Sequence, residues 1–234
     1  MEKGLTGIKE FDDIVGEVLP KELVVIASRP GMGKHILARQ IFSRFCDKKK
    51  IAYVSDMDGM DCVIECVSKG EKEKEQWFLK EKLNKTAHFY TLEVELIFLS
   101  ISLATIKKET GLDFIFIDDF ERFIPQVSSE LKVKILRGLA EELDVAIFVL
   151  AKVIDESDEP RINCNTVNGD LFASADKVFG VCRKDFYATI DEIAENKIVQ
   201  GESLLCVVKN DKGKRIAVTV YINYLSKEFQ ELPF

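Results

Sequence analysis

The densest chemistry in the chain lies in Ala27-Ser28-Arg29-Pro30-Gly31-Met32-Gly33-Lys34-His35. A lysine directly after a Gly-x-Gly turn suits a loop whose backbone N–H groups curl toward a phosphate while the ammonium reaches its terminal oxygens. Ser28, Arg29, Pro30, Gly31, Met32, Gly33, Lys34 and His35 are therefore the candidate residues for ATP or another nucleotide. Two positions depart from the G-x-x-x-x-G-K-[ST] pattern: Ser28 stands at its first glycine and His35 at its hydroxyl. A neutral imidazole is a poor ligand for a hard cation, so His35 works against Mg²⁺ binding. Downstream, Ile115-Phe116-Ile117-Asp118 is an apolar run that delivers a carboxylate. Asp118 is the candidate metal ligand, directly or through water, and joins Lys34 as a candidate catalytic residue.

The elements around these residues read as an α/β chain. Glu22 to Ile26 is a short β-branched strand before the loop, and Ile36, Leu37, Ile41, Phe42 and Phe45 recur at helical spacing after it. Further strands are expected at Lys50–Ser55, His88–Leu92, Phe114–Asp119 and Val145–Leu150, with helices between them. The strand runs are continuous rather than alternating, which implies a parallel sheet covered on both faces. Val94 to Lys108 carries apolar residues on nearly all sides and is expected to be a well-buried helix. Gly70 to Lys85 alternates Glu and Lys around Trp77, Phe78 and Leu79, as a solvated helix with one apolar anchor would. From Lys177 onward, short strands and turns such as Asn210-Asp211-Lys212-Gly213 predict an antiparallel extension of the sheet.

Composition bounds the function classes. A 234-residue chain with 47% hydrophobic and 31% charged residues supports one large soluble domain. The most apolar stretch, Leu96 to Ile106, is too short to span a bilayer, and Met-Glu-Lys-Gly is no signal region, so a cytoplasmic protein is expected. Six scattered cysteines read as reduced thiols rather than a metal set or a disulfide frame. The net charge of −7 argues against a broadly basic nucleic-acid surface.

With these motifs placed, nearly the whole chain resembles the C-terminal, RecA-like ATPase domain of DnaB-type replicative helicases. The lead-in Thr6-Gly7-Ile8…Phe11-Asp12, the Arg29-Pro30 flavour of the loop, the helix Ile135–Leu143 and the hairpin Val207 to Val218 carry the resemblance. It implies a RecA-like P-loop NTPase fold: a central, mostly parallel sheet flanked by helices, with antiparallel C-terminal strands. It also implies a single such domain over 1–234. The family's N-terminal helical domain and linker helix are expected to be absent, since Met1 is followed almost at once by the lead-in. By the same resemblance, Arg183 and Lys209 are nucleotide-binding, and Lys152 takes the place of a polar sensor.

The departures from the family bear on activity. The glutamate that positions water falls at Met57, leaving Asp56 or Asp58 as substitute catalytic carboxylates. Asp211 replaces an arginine finger, where a carboxylate would repel the γ-phosphate. The loop Phe120 to Ser129 offers Arg122 as its only cation, and Asp155 to Asn168 is net acidic, so support for single-stranded DNA binding is weak. Two functions compete. One is a helicase-family ATPase domain associated with DNA replication that binds ATP while hydrolysis and unwinding are weak or lost. The other is a non-catalytic RecA-like scaffold or regulator that binds a helicase, a loader or its own copies.

Overall fold

The computed structural model describes residues 4–56, 61, 63–64, 86–153, 167–186, 200–210 and 213–231. In chain order these form α1 (Lys9–Val15), β1 (Leu23–Ser28), α2 (Lys34–Phe45), β2 (Ile51–Ser55), β3 (Ala87–Thr91), α3 (Leu96–Glu109) and β4 (Phe114–Asp118). They continue with α4 (Ser129–Leu143), β5 (Ala146–Lys152), α5 (Gly169–Ser174), β6 (Lys177–Arg183), β7 (Glu202–Lys209), β8 (Ile216–Asn223) and β9 (Glu228–Glu231). The nine strands make one sheet in the order β3-β2-β4-β5-β1-β6-β7-β8-β9. Pairing is parallel from β3 through β6 and antiparallel from β6 to β9, as the sequence predicts.

Every residue of β1, β2 and β4 is buried, and their side chains alternate between two cores. Val24, Ile26, Tyr53, Phe116 and Phe148 face α1 and α2, whereas Val25, Ala27, Val54, Ile117 and Val149 face α3, α4 and α5. Two covered faces explain the unbroken apolar runs. On the α2 side, Tyr53 stacks on Phe116 at 5.4 Å and Phe116 on Phe148 at 4.6 Å, while Phe42 of α2 meets Tyr53 edge-on at 5.8 Å. This ladder fixes the helix that begins at Lys34. Gln40 on the same helix binds both ends of the described chain: its Nε2 donates to the Thr6 and Phe229 carbonyls, and its Oε1 accepts from Phe229 N at 2.8 Å.

The lead-in behaves as its spacing predicts, with Ile8, Phe11 and Val15 buried. The expected full burial of the helix after β3 is not observed. In α3 only Leu99 and Leu103 are buried, and Ile97, Phe98 and Ile101 are 68%, 62% and 59% exposed. Residues apolar on all sides cannot reveal which side meets the sheet, and here one stripe packs while the other faces out. The charged segment Gly70 to Lys85 lies outside the described residues. Among the described residues, Cys46, Cys182 and Cys206 are free thiols. No helix among the described residues is long and apolar enough to cross a membrane.

Candidate functional site

β1 ends at the C-terminal edge of the parallel strands, where the chain leaves for β2 in one direction and later for β6 in the other, the switch point at which ligands bind in open α/β sheets. Ser28 is fully buried there, and its Oγ donates to the Arg29 carbonyl at 2.8 Å. Gly31 and Gly33 adopt φ of 77° and 108°, left-handed values that let the loop turn back into α2. Gly33 caps α2 without a side-chain hydrogen bond, so the first-turn N–H groups stay directed at the loop. That first turn holds Lys34 and His35 and no acid. Cations are disfavoured by the dipole at a helix N-terminus. A buried lysine there matches an anion held between it and the helix. Lys34 is 4% exposed; burial pushes its ammonium below the ordinary lysine value, against the pull of Asp118, Asp119 and Glu121.

Asp118 closes β4 and faces α2 across the tip of β5. His35 Nε2 lies 3.0 Å from Asp118 Oδ1, an ion-pair distance without hydrogen-bond geometry, so Oδ1 keeps no hydrogen-bond partner. Oδ2 accepts from Ser55 Oγ, at the end of β2, at 2.8 Å. Burial pushes the Asp118 carboxyl up, but contact with His35, the Ser55 hydroxyl and the charge of Lys34 outweigh it and hold it below its usual value. The structure thus brings Lys34, His35 and Asp118 together as the spacing predicts, and adds Ser55. A polar residue ending a buried strand beside the Asp118 strand was the available signal for it.

The turn after Asp118 supplies more carboxylates. Asp119 has a φ of 92°, rare for a non-glycine residue, and its Oδ2 accepts from Lys152 Nζ at 3.2 Å. Glu121 Oε1 accepts from Lys152 N at 3.0 Å, and burial together with the neighbouring Asp119 pushes the Glu121 carboxyl up. Lys132 of α4 braces this turn from below, donating to the Phe120 and Glu121 carbonyls at 3.2 and 2.9 Å. Lys152, read as a polar sensor, therefore sits with the acids next to Lys34. Glu121 escaped the sequence reading because nothing in its surroundings marks it.

On the opposite flank, Arg183 ends β6 with NH1 3.4 Å from the Gly31 carbonyl. Its Nε and NH2 clasp Asp185 at 2.9 and 2.7 Å, and NH2 also donates to Tyr224 Oη at 2.8 Å. Asp185 Oδ2 further accepts from Gly201 N at 2.8 Å, tying the start of β7 to the same cluster. Phe186 and Tyr224 are 57% and 49% exposed, and a Cβ on Gly31 would meet the Phe186 ring at 3.8 Å. A guanidinium with two half-exposed aromatic rings thus borders the loop. The sequence reading found Arg183 but not Asp185, Phe186 or Tyr224, whose meeting depends on the β8–β9 turn.

Two further candidates are engaged by neighbouring groups. Asp56 follows β2 and is held by Arg122 NH1 at 2.9 Å. Lys209 ends β7 opposite Val178 at the start of β6, toward the far edge of the sheet from Ser28. Its Nζ donates to the Phe172 and Ala173 carbonyls of α5, both at 3.0 Å. Met57, Asp58 and Asp211 lie outside the described residues, as does most of the acidic stretch Asp155 to Asn168.

No protein-family model matches the chain. A probable plasmid replicative DNA helicase of Chlamydia trachomatis is 26% identical over 212 aligned residues, covering 77% of this chain and 47% of that protein. The replicative DNA helicase DnaB of Buchnera aphidicola is 23% identical over 247, covering 89% of this chain and 51% of that one. The chain thus spans about half the length of the curated relatives it matches. Among solved structures, an ATPase domain superposes with a TM-score of 0.75 at 16% identity, covering 99% of this chain and 93% of that one. A DnaB-like replicative helicase, described with its interactions with primase, gives 0.76 at 16% identity over 99% of this chain and 62% of that one. The RadB recombinase gives 0.65 at 14% identity over 97% of this chain and 99% of that one. The chain thus has a RecA-like fold and is similar in sequence to replicative DNA helicases, DnaB among them.

Proposed function

We propose that this chain is a helicase-family ATPase domain, associated with DNA replication, that binds the phosphates of ATP or a related nucleotide but hydrolyses them weakly or not at all. The observation that carries the reading is the first turn of α2. There a buried Lys34 and an uncapped helix N-terminus face the edge that holds Asp118, while His35 fills the place where a hydroxyl would help a metal. Lys34 and the loop from Ser28 to Gly33 hold the phosphates, Arg183 flanks them, and Asp118 is the carboxylate left on the metal side. Asp56 is a weak candidate for activating water, because Arg122 already engages its carboxylate. Unwinding is weak or lost along with hydrolysis, and the protein acts in the cytoplasm.

A second reading is a scaffold or regulator that binds replication proteins or its own copies. The exposed Ile97, Phe98 and Ile101 on α3 favour it, since apolar side chains grouped on one helix face are what a protein partner would cover. ATP binding and turnover on the purified protein, with and without Mg²⁺ and single-stranded DNA, test both readings. Binding with turnover near background is expected. Turnover stimulated by DNA would overturn the loss of catalysis, and absence of any nucleotide binding would leave the scaffold alone.

A further inference from the structure

The fold family implies Mg²⁺ at a nucleotide site of this kind, and the residues of this one do not fit it. Mg²⁺ demands near-octahedral oxygen donors and gives up its waters reluctantly. The position after Lys34 supplies an imidazole nitrogen, a donor suited to softer metals. Asp118 Oδ2 is already engaged by Ser55 Oγ at 2.8 Å, and Oδ1 faces His35 Nε2 at 3.0 Å instead of open space.

We infer that this chain takes its nucleotide as the metal-free polyphosphate anion, with the His35 imidazole rather than a cation as the neighbour of Asp118. The inference rests on the phosphate-site reading above and deepens it by naming the form of the ligand. A polyphosphate without its metal carries more negative charge, and a bare carboxylate at the edge of the site would repel it strongly in so buried a place. His35 stands against that carboxylate, and Ser55 neutralises part of its other oxygen by hydrogen bonding. The donors that remain need no metal. They are the first-turn N–H groups of α2 and the buried Lys34 ammonium. In a site that uses Mg²⁺, the cation and the residue after the lysine share one task. Here that residue faces the carboxylate itself.

Calorimetric titration of the whole chain with ADP and with ATP, once in EDTA and once in excess Mg²⁺, tests this. The wild-type Kd is expected to rise about tenfold or more in excess Mg²⁺, which draws the nucleotide into its metal complex and leaves little of the free anion. His35→Thr, which returns a hydroxyl to the loop, is expected to gain about tenfold in affinity from Mg²⁺. His35→Ser serves as the second variant, with circular dichroism showing that either one folds. A wild-type Kd that Mg²⁺ leaves unchanged or tightens would overturn the inference while leaving the phosphate site standing. Metal-independent binding by both variants would overturn the role of His35. Failure of the wild type to bind in either condition would overturn the phosphate-site reading and this inference with it.

Discussion

Lys34, the proposed phosphate residue, weakens the fold that carries it. It is 4% exposed, and burial pushes its ammonium below 10.5. Between that lowered value and 10.5 the unfolded chain binds the proton more tightly than the folded one, so stability rises as pH climbs through the window. At neutral pH the charged side chain therefore costs the empty protein stability. Lys34→Met is expected to raise Tm by about 1–3 °C at pH 7, with the gain shrinking in alkaline buffer, and to weaken nucleotide binding by about a hundredfold. Thermal melts across pH, paired with nucleotide titration, check both halves. Unchanged nucleotide affinity would remove Lys34 from the site. Residues of this kind are legible in a sequence because strand, glycines, lysine and helix stand next to one another. Asp185 and Tyr224 are not, because they meet only after β7 and β8 have been laid beside β6.

At the level of elements, the loop depends on a strand that comes last in the chain. A Cβ on Gly33 would lie 3.0 Å from Phe229 Cζ and 3.6 Å from Val181 Cγ1, and the residue also has a φ of 108°. Gly33→Ala therefore meets two independent obstacles, a backbone conformation that L side chains rarely adopt and the ring of β9. Its cost is expected at about 1–3 kcal/mol, with nucleotide affinity reduced as the loop shifts. The obstacles can be separated. Trimming the ring in Gly33→Ala/Phe229→Leu should return the steric part and leave the backbone part, read as a coupling energy in a double-mutant cycle of chemical unfolding. Purely additive effects would mean that β9 does not support the loop. The strands and most of the helices were legible from their apolar runs, and β9 belongs to the antiparallel extension expected after Lys177. Its contact with Gly33 was not, since β9 is far from α2 in sequence and is tied to it by hydrogen bonds between the Gln40 side chain and the Phe229 backbone. The exposure of α3 escaped for the opposite reason: a helix apolar all round gives no periodicity to orient it.

For the molecule as a whole, the question is how much of a nucleotide site one copy of the chain holds. The resemblance to the helicases assigns Lys209 to nucleotide, yet the sheet places it away from its own loop. Lys209 pairs with Val178, and Val178 with Val25, three residues short of Ser28 along β1. At strand rise this is about 10 Å below the loop edge and two strands to the side. Its ammonium is spent on the Phe172 and Ala173 carbonyls and lies 5.4 Å from the Phe172 ring, which ties β7 to the end of α5. Within one copy, then, Lys209 holds the fold, and the proposed phosphate residue is Lys34. Lys209→Ala is expected to cost about 1 kcal/mol, lowering Tm by about 2–4 °C, while nucleotide affinity stays within about twofold. The measurement is a melt and a nucleotide titration at dilute and concentrated protein. Affinity that falls with Lys209→Ala only in concentrated samples would mean that this lysine leaves α5 to serve the loop of another copy. Affinity unchanged at both concentrations would make the phosphate site a property of the single chain.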